Sequence, residues 1–401
     1  MNPIQTKNYN AIDIMKFICS ILVIIIHTSP LASYNENLNF AFVQVIARIA
    51  VPFFFTAAGF FFFRKVSLPL SSSKNNSHIL FKYIIRLLKI YLVWTAIYYI
   101  YRIFIVKTES INKENITTYI KDFIFSGSNF HLWYLPAIIS AVLITYFLLK
   151  FLSIKKVLII AIAFYIIGLL GESYYGFISK TKMLSDMFES FFSFFATMRD
   201  GLFFGFMFVA IGAYIGKYEM KIKKPVILLI ISFCLLFIEA FLLKSFQIAR
   251  DYNMMISIVP ITVLLFNILI NVKQGTVKQL ESDSEAGYYG KALGNDCKAV
   301  VKPSATVPSA TVPSATVSSL EKTVGNENKI YRYLRDSSII IYCSHIIIGM
   351  ILPNVFAALK YDYYSNSLFP FFITTLCTVI FSFAIVFLSK IKVFKFLKIF
   401  Y

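Results

Sequence analysis

Runs of about 20 mostly apolar residues recur along this chain, each long enough to carry a helix through a bilayer. Ten can be drawn: 11–31, 40–63, 83–105, 131–152, 155–172, 199–217, 224–244, 253–272, 337–357 and 368–391. With 58% hydrophobic and 15% charged residues and a mean hydropathy of +0.72, the chain has more apolar surface than a soluble core can hide. The expected fold is all-α, a polytopic membrane helix bundle of about ten transmembrane helices. The shorter apolar segment 185–197 reads as an amphipathic helix lying at the interface. No small-residue cleavage site follows the apolar stretch from Ile14 to Ile26, so it reads as a retained first span.

A net charge of +19 invites a nucleic-acid reading, but the cations fall in short clusters between apolar runs rather than on one soluble face. They read as topology signals. Lys7, then Arg64, Lys65, Lys74 and Lys82, then Lys155 and Lys156, then Lys217, Lys221, Lys223 and Lys224, and finally Lys390, Lys392, Lys395 and Lys398 share one side if the spans alternate. By the positive-inside rule that side is cytoplasmic, which puts both termini inside a bacterial inner membrane. The bilayer is the expected partner, and nucleic acid is not.

Residues 273–336 interrupt the apolar pattern with a polar stretch containing Ser304-Ala305-Thr306-Val307-Pro308, repeated from Ser309 to Pro313. So short a repeat of Ser, Thr and Pro buries no core, and the segment is expected to be a disordered cytoplasmic linker. The chain then divides into a bundle over 1–272, the linker over 273–336, and two last spans with the C-terminus over 337–401. The five cysteines (Cys19, Cys234, Cys297, Cys343, Cys377) stand singly, four of them in apolar runs, so neither a disulfide framework nor a zinc site is expected.

Ionisable groups inside apolar spans are costly and mark where chemistry can sit. The first span holds Asp13, Lys16, Ser20 and His27. Eleven helical steps separate Lys16 from His27, close to three full turns, so the two share a face roughly 16 Å apart. Thr28-Ser29-Pro30 ends the helix and leaves His27 at the outer mouth, either as a general base or as a hydrogen-bonded interfacial histidine. Arg48 in the second span, His131 with Trp133 and Tyr134 at the start of the fourth, and Arg199-Asp200 at the start of the sixth fall in the same outer half. Each arginine is a site residue or a snorkelling anchor. On the inner side Lys82, Arg86 and Lys89 form a basic stripe, suited to cofactor phosphates or to plain topology anchoring. His345 in the ninth span reads as a packed polar contact, and His78 as solvated. No nucleophile elbow, phosphate-binding Gly-rich loop or paired metal-spaced histidines occur, so ATP hydrolysis and zinc proteolysis are not expected.

Taken in order, these motifs resemble the acyltransferase-3 family over nearly the whole chain outside 273–336. The family's basic residue followed eleven positions later by His matches Lys16 and His27, with Lys for the usual Arg. Its basic pair three apart in the third span matches Arg86 and Lys89, again with Lys for Arg. His131-Leu132-Trp133-Tyr134-Leu135-Pro136 is similar to its His-Leu-Trp-aromatic segment, and Tyr342-x-x-His345 to a late-helix motif. Within the family, His27–Leu31 and Ala47–Phe54 resemble the membrane half of the serine racemases of vancomycin resistance. Those continue into a soluble racemase domain; none is seen in these 401 residues, so racemisation is not expected of them.

The resemblance implies an O-acyltransferase that moves an acyl group, commonly acetyl from acetyl-CoA, to a hydroxyl of an extracytoplasmic glycan or other small acceptor. His27 would be its base or proton relay, continued inward by Lys16 and Asp13. Arg86, Lys89 and Lys82 would hold the acyl-CoA phosphates, while Arg48, His131, Trp133, Tyr134 and Arg199 would line the acceptor side. The competing reading is a transporter of a small polar substrate such as serine, for which charged groups along one stripe are equally apt.

Overall fold

A computed structural model describes residues 9–70, 75–106, 116–195, 197–218, 220–272 and 314–401. Among these residues all regular structure is helical. The helices are α1 (Asn10–Thr28), α2 (Glu36–Phe40), α3 (Ala50–Lys65), α4 (Asn75–Tyr101), α5 (Ile116–Lys121), α6 (Tyr134–Leu148), α7 (Ile154–Gly171), α8 (Tyr175–Ile178), α9 (Lys182–Phe194), α10 (Phe206–Lys217), α11 (Pro225–Ser245), α12 (Ile258–Asn271), α13 (Ser314–Ala358) and α14 (Leu368–Leu388). A 3-10 segment, Lys392–Phe400, closes the chain.

Each expected span overlaps a helix, and six helical stretches are long and apolar enough to cross a membrane: α1, α2 to α3 as one run, α7, α11, the Lys329–Ala358 part of α13, and α14. Shorter apolar helices at Tyr134–Leu148, Gly201–Lys217 and Ile258–Asn271 overlap three more. The protein is a multi-pass helical membrane bundle. The amphipathic segment expected near 185–197 is α9.

Local chemistry sets the boundaries. α1 stops at Thr28 because Ser29 turns left-handed (φ 46°) just before Pro30. α11 opens on Pro225, where a missing N–H costs nothing. α3 sits at the centre, its run 67% buried, whereas α11 and α14 bury only 22% and present Ile227, Ile230, Phe372 and Ile380 outward, as lipid-facing helices do. α3 packs most extensively on α10, and glycine makes this possible. A Cβ on Gly212 would collide with the Thr56 carbonyl oxygen and lie 2.7 Å from the Phe60 nitrogen, both immovable backbone. Gly212 and Gly216 are one helical turn apart on this contact, the small-x-x-x-small spacing that lets membrane helices meet backbone to backbone.

The structure corrects three sequence boundaries. The linker expected over 273–336 is too long, because α13 is one helix from Ser314, so residues 314–336 lead into the ninth span. Residues 273–313, with the repeat and Cys297, lie outside the described residues, as do Lys7 and Lys74. The second span begins earlier than residue 40, at Glu36, where Asn35 caps α2 by accepting the Leu38 N–H at 2.9 Å. The fourth helix begins later than residue 131, at Tyr134, leaving His131 in the preceding turn.

Candidate functional site

Three irregular segments bring the site together. The run from α2 to α3 passes through a π turn (Ala41–Ile46) and a 3-10 turn (Ala47–Ile49) that re-aim Arg48 off a straight helix. His131 rides on a turn held by Gly127, whose φ of 85° and 2.7 Å clearance to Trp133 Cα admit no side chain. The Tyr91 hydroxyl fastens the same loop, donating to Phe123 O and accepting from Ser128 N, both at 2.7 Å. Arg199 precedes Asp200, which caps the turn Gly201–Gly205 by accepting from Leu202 N and Phe203 N at 2.9 and 2.8 Å.

These segments line a small cavity with His27, Arg48, His131, Trp133, Arg199 and Asn253, together with Val23, Ile26, Val51, Phe130, Phe204 and Tyr342. His27 is exposed in it and makes no hydrogen bond to the described residues. The His345 ring centroid is 5.2 Å from His27 and 5.4 Å from His131, so three histidines from α1, the His131 turn and α13 cluster at one point. His345 directs Nδ1 at Tyr342 O (2.8 Å) and Ile341 O (3.2 Å). Both are acceptors, so Nδ1 carries the proton, and Nε2 keeps a lone pair with no protein partner. His131 is the mirror case: Nε2 faces Cys343 O at 3.3 Å, and the buried Nδ1 is unpartnered.

One hydroxyl organises this corner. Tyr98 OH donates to Cys343 O at 2.8 Å and accepts from Ile347 N at 3.1 Å, bridging the two backbone groups of one turn of α13. That turn carries His345, and Tyr342 OH ties it further by donating to His131 O.

The arginines meet on an amide. Arg48 donates from Nε to Gln44 Oε1 at 2.8 Å, from Nη2 to the same oxygen, and from Nη1 to Asn253 Oδ1. Arg199 Nη1 reaches that same Asn253 oxygen at 3.1 Å, with its guanidinium 4.7 Å over Trp133. Two cations sharing one oxygen at hydrogen-bond lengths sit within roughly 6 Å of each other. At an effective dielectric of about 20 that is a repulsion of roughly 3 kcal/mol.

The structure thus brings His27, Arg48, His131, Trp133 and Arg199 to one cavity. Tyr134 packs behind it on Phe55 and Tyr342, at 4.7 and 5.5 Å between ring centroids. Asp13 and Lys16 lie toward the other end of α1, 3.8 Å from each other, where Arg335 of α13 is also 3.8 Å from Asp13. Lys16 rests over Phe61 at 4.4 Å. Lys82, Arg86 and Lys89 are exposed on α4 without ion pairs among the described residues. Sequence reasoning passed over Asn253, Gln44, Tyr98 and Arg335, and it gave His345 only a packing role where the structure sets it beside His27. Arg335 was hidden because it fell in the segment read as linker; the neutral amides and Tyr98 carry no signal until their partners are known.

A helical membrane bundle with a histidine and arginine cavity at one end and a basic stripe at the other has the makings of a membrane-embedded transferase. Residues 9–272 match the acyltransferase domain that defines the acyltransferase-3 family, and the chain belongs to that family. It is 33% identical over 301 residues to an amino-acid racemase of Enterococcus faecalis, covering 74% of this chain and 41% of the relative. A second amino-acid racemase of Enterococcus faecalis is 29% identical over 265 residues (65% of this chain, 37% of the relative). A serine/alanine racemase of Enterococcus gallinarum is 29% identical over 262 residues, with the same coverage. The chain spans about two fifths of the length of these relatives. No solved structure matches it.

Proposed function

We propose that the protein transfers an acyl group, acetyl in the simplest case, from a cytoplasmic acyl-CoA to a hydroxyl held in the outer cavity, within a bacterial inner membrane and with both termini cytoplasmic. The observation that carries this reading is His27, exposed in a cavity it shares with Arg48, His131 and Arg199, with the His345 ring 5.2 Å away. His27 takes the acceptor's proton as the acceptor oxygen bonds to the acyl carbon; the C–S bond breaks, and the departing thiolate is protonated. The thioester supplies the activated acyl group and the leaving thiol. His345, its Nδ1 proton committed to backbone carbonyls, offers the Nε2 lone pair that orients His27 or relays its proton. Exposed and unpaired, Arg86, Lys89 and Lys82 are free to bind the donor's phosphates, Arg86 by a bidentate fork and the lysines as point charges.

The second reading, transport of a small polar substrate such as serine, draws on the racemase names of the relatives and on charged groups near both ends of α1. Proteoliposomes supplied with labelled acetyl-CoA, and separately with labelled serine, decide between the two. Protein-dependent label on an acceptor supports transfer; label accumulating unchanged inside the vesicle refutes it in favour of transport. Orientation is tested at Cys297, which in intact cells is expected to escape an impermeant thiol reagent; strong labelling there overturns the topology.

A further inference from the structure

We propose that Arg48 and Arg199 form a carboxylate-binding subsite, so that the acceptor is a small hydroxylated carboxylic acid rather than a neutral sugar. The inference rests on the acyl-transfer reading and deepens it by naming the substrate class.

The protein sets these two cations side by side with, among the described residues, a single facing carboxylate between them, that of Asp251 on Arg48. Their nearest acceptors, Gln44 Oε1 and Asn253 Oδ1, are neutral amide oxygens, and the Asn253 oxygen serves both guanidiniums. One carboxylate, Asp251, approaches Arg48, at 3.6 Å, with its side chain 40% exposed. That carboxylate also accepts Tyr252 N at 2.6 Å on Oδ1 and the Asn253 side-chain amide on Oδ2. Glu172 accepts from Met198 N at 2.7 Å and from the Thr197 hydroxyl, and is in ion-pair contact with neither arginine. Among the described residues Arg199 has no ion pair at all, and its buried Nε has no protein acceptor. A structural ion network would match each buried cation with an anion. Here two cations are held side by side, one of them steadied in its plane by Trp133, and both line the cavity.

That arrangement suits an incoming oxyanion with two in-line oxygens, which a pair of planar forks recognises by charge-assisted hydrogen bonds. His27 lines the same small cavity. A ligand that touches both His27 and the arginines therefore carries its hydroxyl and its carboxylate only a few bonds apart. Neutral sugar hydroxyls bring no anion to the arginine pair.

The test is binding of labelled glycerate to the full chain in lipid nanodiscs without acyl donor, with competition by L-serine, methyl glycerate, glycerol and glycerol 3-phosphate. Glycerate is expected to bind and to be displaced by serine, while the methyl ester and glycerol fail. Arg48→Gln and Arg199→Gln are each expected to weaken binding on the order of tenfold to a hundredfold, the loss of a hydrogen bond to a charged partner. Equal binding of the ester and the acid overturns the proposal, as does glycerol 3-phosphate binding where glycerate does not, or full affinity in Arg48→Gln. The comparison of acid with ester needs only the wild-type protein, so it decides the matter even if the arginine variants misfold. Labelled acetyl-CoA then separates the two readings. Glycerate that binds but never receives acetyl leaves the subsite standing and sinks acyl transfer, whereas acetyl moved to glycerol as readily as to glycerate keeps transfer and sinks the subsite.

Discussion

Replacing Tyr98 with Phe removes one oxygen and leaves the ring, which packs 4.8 Å from His131 in a T-shaped contact. Tyr98 is 2% exposed, so the hydroxyl has no water to turn to, and its two bonds, to Cys343 O and from Ile347 N, vanish together. Net values of about 0.5–1.5 kcal/mol per hydrogen bond, with bilayer-buried side-chain bonds averaging about 0.6, give a loss of roughly 1–3 kcal/mol. The same hydroxyl holds the Cys343 carbonyl that faces His131 and fixes the turn that carries His345, so activity is expected to fall as well. Thermal unfolding of purified Tyr98→Phe in detergent, beside acetyl-transfer assays at saturating donor, reads both quantities. A variant with unchanged melting and unchanged turnover refutes the idea that this hydroxyl fixes the turn for the site.

Other substitutions probe the remaining links. His27→Ala is expected to lower transfer by about 10²–10⁴ with normal protein levels, since the exposed ring bonds to no described residue, and His27→Gln is expected to fall equally, because an amide cannot take the proton; full turnover in His27→Gln removes proton transfer from its role. Replacing Arg86 and Lys89 together by Gln is expected to raise the KM for acyl-CoA more than it lowers kcat, since the contact exists in the ground state as well; an unchanged KM reduces both to topology anchors. Gly212→Ala drives a methyl group into the backbone of α3 and is expected to cost about 1–3 kcal/mol or more, seen as lost folded protein by fluorescence-detected size exclusion, while a normal elution profile contradicts the close approach of α3 and α10.

Long apolar runs made the helices legible because a bilayer demands about 20 such residues whatever the tertiary contacts. Lys16 and His27 could be placed at opposite ends of one helix face by counting turns, since the geometry of a single helix is fixed by periodicity. The cavity was legible only in part. His27, Arg48, His131 and Arg199 could be assigned a shared depth, but depth is one coordinate of three, and Tyr134, drawn at that same depth, packs behind the wall instead. Where two side chains meet through a neutral third, as Arg48 and Arg199 do on Asn253, no local pattern announces it. The end of the linker was misplaced for a related reason: 314–336 is polar enough to read as loop, yet its last turns stand against the N-terminal half of α1.

That last helix changes where the site's boundary falls. α13 meets α1 at two depths, Arg335 beside Asp13 at 3.8 Å and His345 beside His27 at 5.2 Å between rings. Ten residues separate Arg335 from His345, and fourteen separate Asp13 from His27. At about 1.5 Å per residue these rises are roughly 15 and 21 Å, close enough for two helices running the same way to stay in register between the two contacts. Residues 9–272 carry the family match, yet Tyr342 and His345 complete the histidine cluster from beyond it, across the 41 undescribed residues 273–313. Residues 273–313 therefore fall in the sequence between two parts of one site. That parallel seam fixes the relation between one end of α1, where Asp13, Lys16 and Arg335 gather, and the other, where His27, His131 and His345 cluster.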